Sequence, residues 1–203
     1  MRVGIDFDNT IAGYDEVFHK AASGQGLLPP DTPVSKRAVR DTIRNRPDGD
    51  LRWQQLQGYA YGQGIHHATL FSGFRQFVQF CNNSKIPTFI VSHKTVYSHY
   101  DHTKVNLRAA AKSWMKSKGF FDPNGMKFSK DHIFFEPTRC AKINKIRDLD
   151  CTFFIDDLKE IFLEPNFPSR TKGLLFSRDR MEPNDCAYSI FQNWAEIQAH
   201  IFG

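Results

Sequence analysis

Two short apolar runs in this chain each end in paired carboxylates, and that repetition limits the fold more than any other feature. Arg2-Val3-Gly4-Ile5-Asp6-Phe7-Asp8-Asn9-Thr10 carries acids at i and i+2 and closes on two small turn-forming residues. Cys151-Thr152-Phe153-Phe154-Ile155-Asp156-Asp157 repeats the pattern, a β-branched and aromatic run ending in adjacent acids. On a strand, side chains alternate faces, so Asp6 and Asp8 leave on one side at its carboxyl end. Open α/β sheets put their ligands there. Burying one carboxylate unpaired is costly, and a second beside it adds repulsion, so the pair calls for a cation, a shared proton or water. For the first segment alone, a solvated Asp-Asn-Thr turn closing a strand is the alternative.

Two strand ends bearing four carboxylates converge on one divalent metal if the strands are neighbours in a parallel sheet. Oxygen-only donors suit magnesium, which takes a few carboxylates, several waters and substrate phosphate. Further strands are expected at Pro87–Val91, His132–Phe135 and Lys172–Phe176. Helices are expected at Gly73–Asn82, Thr103–Lys118, Cys140–Asp148 and about Tyr188–Ile201. Strands alternating with helices of this length predict an α/β class with a parallel sheet and right-handed crossovers. Residues 15–72 break the alternation. They hold Leu27-Leu28-Pro29-Pro30, Arg46-Pro47-Asp48-Gly49-Asp50 and an aromatic segment with Trp53, Tyr59 and Tyr61, and read as a small helical insertion.

Two more strand-end features complete a constellation. Ile86-Pro87-Thr88-Phe89-Ile90-Val91-Ser92-His93-Lys94 ends on a hydroxyl, and Thr138-Arg139-Cys140-Ala141-Lys142-Ile143-Asn144-Lys145-Ile146 opens a helix with lysines. Asp-x-Asp-x-Thr, a strand-terminal Ser, a lysine and then Asp-Asp, in that order, resembles the haloacid dehalogenase-like (HAD) hydrolase superfamily over residues 1–14 and 75–180. The resemblance implies a Rossmann-like core, residues 1–14 and 73–203, with a central parallel five-stranded sheet. Its first strand would be central, between the second and fourth. Residues 15–72 stand where such proteins carry a C1-type cap, which would exclude water and select substrate.

Phosphate-ester hydrolysis is slow because anionic oxygens repel the nucleophile, so a catalyst needs cations around the phosphoryl group and an aligned attacker. By resemblance Asp6 is that attacker, forming an aspartyl-phosphate, and also a magnesium ligand. Asp8 would protonate the leaving oxygen and then activate water, its backbone carbonyl on the metal. Family members acting on carbon–halogen bonds lack an acid there. Ser92 would donate to phosphoryl oxygens, helped by backbone N–H groups near Asn9 and His93. Lys142, with Lys145 one turn on as the alternative, would neutralise developing charge. Asp156 would bind magnesium. Asp157 would act through water or by orienting the lysine, or be a helix N-terminal acid. His93 and Lys94, directly after the serine, stand within reach of substrate. Arg44, Arg46, Trp53 and Tyr59 are candidates for contacts from the insertion, whereas His66, His67, His99 and His102 lack ligand-like spacing.

Of the 203 residues 40% are hydrophobic and 24% charged, ordinary for a globular protein, and the 19 Phe read as core packing. No apolar run is long enough to span a membrane and the amino terminus lacks a leader pattern, so a cytosolic location is expected. Cys81, Cys140, Cys151 and Cys186 form no Cys-x-x-Cys pair and are expected to be reduced, mainly buried thiols. The net charge is +5, and Lys104, Arg108, Lys112 and Lys116 recur every fourth residue, opposed by Val105, Ala109, Trp114 and Met115. A solvated outer face is the favoured reading of this stripe over a surface for nucleic acid or an acidic partner. A second basic group, Lys36, Arg37, Arg40, Arg44 and Arg46, lies in the insertion. The expectation is a magnesium-dependent phosphatase for a small phosphomonoester. Its rivals are a phosphatase for nucleic-acid ends and a catalytically silent HAD-fold regulatory module.

Overall fold

The computed structural model describes residues 1–98, 100, 103–178 and 187–203. His99, Asp101, His102 and residues 179–186, Cys186 among them, lie outside the described residues. From the amino terminus come β1 (Val3–Ile5), β2 (Ala12–Gly13), α1 (Asp15–Gly24), α2 (Lys36–Arg44), α3 (Gly49–Tyr61), β3 (Thr69–Leu70), α4 (Phe74–Asn83) and β4 (Thr88–His93). There follow α5 (Leu107–Ser117), β5 (Ile133–Glu136), α6 (Arg139–Asp148), β6 (Phe153–Asp156), α7 (Lys159–Phe162), β7 (Lys172–Phe176), β8 (Tyr188–Phe191) and α8 (Trp194–Phe202).

The chain forms two compact units, Met1–Ala12 with Leu70–Lys94 and Gly119–Gly203, and Gly13–Thr69 with Thr95–Lys118. The sequence placed all of 73–203 with the core; Thr95–Lys118 instead groups with the insertion. The reason is the buried face of α5. Trp114 is 2% exposed and its Nε1–H donates to the Ala68 carbonyl at 3.0 Å, while Leu107 and Met115 are also buried.

The first unit is a six-stranded sheet in the order β5-β4-β1-β6-β7-β8, parallel throughout, with β1 between β4 and β6. Most of these strands are buried along their length, as expected of strands covered on both faces. One face packs Phe89, Val91, Phe154 and Leu175 against Ile146 of α6 and Ile161 and Phe162 of α7. Gly4 belongs to this face, because a Cβ there would lie 2.6 Å from Phe154 Cδ2 and 2.9 Å from Cys151 Sγ. Elsewhere in the unit Trp194 of α8 meets Phe74 and Phe77 of α4 and Phe176 of β7, with ring centroids 5.0–5.8 Å apart.

The sixth strand is a correction to the five expected. Tyr188–Phe191 pairs with β7 and the last helix begins only at Trp194. Asn193 caps that helix by accepting from Glu196 N–H, and Glu196 reaches back to accept from Gln192 N–H at 2.9 Å. Asn-x-x-Glu is thus a start signal, leaving the β-branched and aromatic Tyr-Ser-Ile-Phe outside the helix.

The second unit is helical around aromatic rings. Trp53 stacks on Phe18 at 4.8 Å and Tyr61 meets Tyr14 edge-on at 4.9 Å. Ser35 caps α2 by accepting from Ala38 N–H, and Asp15 accepts from Lys36 N–H at 2.8 Å, fixing α2 to the start of α1. Helix α5 is capped by Asn106, which accepts from Ala109 N–H, so the expected start at Thr103 moves inward. Lys104 and Val105 therefore precede the helix, and Ala109, assigned to the apolar face, is exposed. Of the cysteines, Cys81 and Cys151 are buried and Cys140 is exposed; all three are free thiols. No helix among the described residues is long and apolar enough to cross a membrane.

Candidate metal and phosphoryl site

Strand register brings the acids together. Ile5 of β1 is level with Ile155 of β6, and Asp6 N–H donates to the Ile155 carbonyl at 2.8 Å, so Asp6 and Asp156 leave neighbouring strands side by side. One carboxylate oxygen each from Asp6, Asp156 and Asp157 lies within 4.8 Å of the others. Asp6 is 5% and Asp156 0% exposed, and Asp157 is half-buried.

Lys142 enters from α6, which starts at Thr138 because that side chain accepts from Ala141 N–H. Its ammonium donates at 2.6 Å to Asp6 Oδ1 and at 2.6 Å to Asp156 Oδ2. Burial works against the Lys142 charge, yet the charges of Asp156 and Asp6 outweigh it and hold the group above the usual lysine range. Complete burial pushes the Asp156 carboxyl up to about 7, although Lys142 and the Leu158 N–H that binds Oδ1 pull the other way. Lys142 thus pairs with two of the three clustered carboxylates. All the donors are hard oxygens, so Asp6, Asp156 and Asp157 fit a divalent cation such as magnesium.

Asp8 is not among these three. Its carboxylate is 2.7 Å from Lys94 Nζ, and the lysine side chain is itself 2% exposed. The two strand-end acids thus have separate cationic partners: Lys142 serves Asp6 and Asp156, and Lys94 serves Asp8. Lys94 is set in place because its N–H donates to the Glu136 carbonyl at the end of β5. The position of Lys94 two residues after Ser92 was visible in the sequence, but the pairing required the fold.

Ser92 is 1% exposed at the end of β4. Exposed His93 places Nε2 3.2 Å from the Pro137 carbonyl. Asn9 adopts φ 61°, and its N–H is taken by the Ala12 carbonyl at 2.7 Å, closing the turn after the Asp-x-Asp segment. Asn9's own N–H is therefore engaged inside the protein in this structure, where the sequence had suggested phosphate contact nearby. Thr10 is fully buried with Oγ1 unpaired among the described residues, while its carbonyl accepts from Trp194 Nε1 at 3.3 Å. Lys145 lies over the Phe134 ring at 5.0 Å, so of the two lysines Lys142 is the one at the carboxylates.

The insertion residues considered for substrate contact divide. Trp53 is 3% exposed and packs in the core of its unit, Arg44 pairs with Asp50 at 3.0 Å, and Arg46 Nη1 donates to the Leu27 carbonyl at 2.9 Å. Tyr59 is exposed. His66 and His67 have rings 3.8 Å apart, and neither joins the acidic cluster.

No protein-family model and no curated protein sequence matches the chain. Solved structures do. A haloacid dehalogenase-like hydrolase from Streptococcus pneumoniae is 16% identical, with 98% of this chain and 97% of that one covered and a TM-score of 0.62. An L-2-haloacid dehalogenase is 13% identical at a TM-score of 0.60, covering 100% of this chain and 98% of that one. A HAD family hydrolase from Deinococcus radiodurans R1, with bound phosphate and sodium, is 13% identical at 0.55, with 98% and 94% covered. At these identities the likeness speaks to architecture, and the architecture is unambiguous: the chain has the haloacid dehalogenase-like hydrolase fold.

Proposed function

We propose that the protein is a magnesium-dependent phosphatase that hydrolyses a small phosphomonoester through an aspartyl-phosphate, acting in the cytosol. The observation that carries this reading is Asp8: a second carboxylate at the end of β1, outside the three-acid cluster and held by its own buried lysine. The fold alone leaves the reaction open, because its neighbours include a haloacid dehalogenase and a hydrolase holding phosphate. Carbon–halogen displacement needs an attacking carboxylate but no proton for the departing halide. Phosphoester cleavage needs both an attacker and a proton for the leaving oxygen.

In this reading Asp6 Oδ attacks phosphorus in line, the bond to the leaving oxygen breaks, and Asp8 supplies that oxygen's proton. Asp8 then takes a proton from water as the water attacks the aspartyl-phosphate, releasing phosphate and freeing Asp6. Asp6, Asp156 and Asp157 would hold magnesium, which would supply positive charge against the phosphoryl group. Lys142 holds Asp6 in position, Ser92 donates to the phosphoryl group, and Lys94 keeps Asp8 in place.

The test is phosphate release from a panel of sugar phosphates, nucleotides and phospho-acids, with magnesium and then with EDTA. The reading expects turnover that EDTA abolishes, loss of turnover in Asp6→Asn, and a fall of roughly 10²–10⁴ in Asp8→Asn. Metal-independent halide release from 2-haloacids, with the phosphate panel untouched, would overturn it.

A further inference from the structure

The net charge of the protein is confined to one of its two units. Gly13–Thr69 with Thr95–Lys118 contains 12 Lys and Arg against 7 Asp and Glu, a balance of +5, and the other unit has 15 of each. Within the charged unit the two basic groups differ. Those on α2 and α3 are met by acids: Arg37 and Arg40 by Asp41, Arg44 by Asp50 and Arg52 by Asp48. Thr103–Lys118 contains no acid at all, and Lys112 and Lys116 have no ion pair among the described residues.

The shape of this second group is also specific. The exposed strip of α5 runs Ala109, Lys112, Ser113, Lys116, Ser117, so small residues flank two lysines one helical turn apart. An i, i+4 pair on a helix spans about 5–6 Å between Cβ atoms, close to the spacing of successive phosphates along one strand, and the small neighbours let a backbone approach. Just before the helix, Tyr97 and Tyr100 are 51% and 45% exposed, the most open aromatic side chains among the described residues. Val96, next to Tyr97, is tied to the helix start by Leu107 N–H donating to its carbonyl at 2.8 Å, and Thr95 Oγ1 donates to the Tyr97 carbonyl at 2.9 Å.

We propose that Tyr97, Tyr100, Lys112 and Lys116 form a binding surface for single-stranded nucleic acid, the lysines on phosphates and the open tyrosines under bases. Cations without an ion pair, on a helix whose start is tied to exposed aromatic rings, are the combination that single strands require. A lipid surface fits less well, because the exposed strip of α5 carries no large apolar side chain to insert. The site is independent of the phosphatase reading and uses none of its residues.

The experiment is fluorescence anisotropy of labelled dT20 against salt, for the wild type, Lys112→Glu/Lys116→Glu and Tyr97→Ala/Tyr100→Ala, each confirmed folded by circular dichroism. Wild type is expected to bind at low salt. The lysine variant should lose at least about tenfold, with a log–log salt slope smaller by about 1.4, the value for two single-strand phosphate contacts. The tyrosine variant should weaken binding severalfold with its slope unchanged. Absence of dT20 binding, an unchanged Kd in the lysine variant, or equal competition by polyglutamate or phosphatidylserine vesicles would overturn the assignment. Asp6→Asn should still bind dT20, and the lysine variant should still hydrolyse any small phosphomonoester the wild type turns over, so failure here and failure of the phosphatase reading are separately visible.

Discussion

Replacing Asp6 by Asn is expected to remove activity and, in the absence of metal, to stabilise the protein. The sign follows from the charges around that side chain. Asp6 lies within 4.8 Å of carboxylate oxygens on Asp156 and Asp157 and 2.6 Å from Lys142 Nζ. At an effective dielectric of ~20, the two repulsions together are at least ~7 kcal/mol and the attraction is ~6 kcal/mol, so the pairwise energies nearly cancel. What remains is the cost of keeping a carboxylate ionised at 5% exposure, which an amide does not incur. Asn also retains an oxygen to accept from Lys142 and gains an N–H₂ facing the neighbouring carboxylates, and Lys142 keeps Asp156 as its counter-charge.

The net gain should be about 1–3 kcal/mol, which for a chain of this size raises the thermal midpoint by roughly 2–10 °C. Differential scanning calorimetry in EDTA reads it directly. Titrating magnesium should then raise the wild-type midpoint, since a ligand at 100 times its Kd adds about 2.7 kcal/mol. The shift should be smaller in Asp6→Asn, which lacks one of the three carboxylate charges. An Asp6→Asn midpoint in EDTA at or below wild type would refute the view that carboxylate crowding strains this site. An undiminished magnesium shift would refute Asp6 as a ligand.

Lys142→Met leaves the same carboxylates without their cation and should destabilise the metal-free protein by about 3–5 kcal/mol in denaturant melts, with magnesium restoring part of the loss. Lys94→Met should lower turnover at least tenfold while changing stability less, because Asp8 is 17% exposed and reaches water; a stability loss matching that of Lys142→Met would contradict this. The Asp156 carboxyl, raised from 3.8 to about 7, makes the folded metal-free protein hold a proton that the unfolded chain releases between those values. That contribution to stability therefore falls as pH rises through the window, and the magnesium-induced midpoint shift should be larger at pH 7.5 than at pH 5.5. Equal shifts at the two pH values would count against it. Gly4→Ala puts a Cβ 2.6 Å from Phe154 Cδ2 and should cost about 1–3 kcal/mol in urea melts, the usual penalty for overpacking.

The core was legible in the sequence because its strands are buried on both faces and so appear as short apolar runs ending in polar residues. Val3–Ile5, Thr88–His93 and Phe153–Asp156 fall inside or within two residues of the runs expected, and β1 lies between the other two. What was lost lay at boundaries set by single side chains. Asn193 and Asn106 each start a helix later than periodicity suggests, since apolar spacing continues smoothly across a cap. The first shift exposed a sixth strand; the second removed Lys104 and Val105 from the helix. The grouping of Thr95–Lys118 with the insertion was invisible for a different reason: it depends on Trp114 meeting Ala68, a contact between segments separated by α4 and β4.

The site shows the same division between what a chain order reveals and what a register reveals. Order, read through the family resemblance, pointed to Asp6, Ser92 and Asp156 and to Lys142 with Lys145 as its alternative, because each closes a strand or opens a helix, and chain ends of parallel strands gather at one edge. It left Asp157 with three roles and Lys94 as a residue within reach of substrate. Register resolves both in terms of charge. Once Ile5 is level with Ile155, Asp157 falls within 4.8 Å of Asp6 and Asp156, and the lysine of α6 has already been consumed by those two. Asp8 then requires a second cation if it is to remain at a mostly buried position, and the end of β4 supplies it through Lys94 at 2.7 Å. Two lysines on different elements thus separate four acids into a set of three that fits a metal and a single acid with its own cation, and the phosphatase reading assigns attack to the first and proton transfer to the second. That separation, more than the presence of any one residue, is what a reaction needing both a nucleophile and a leaving-group acid demands.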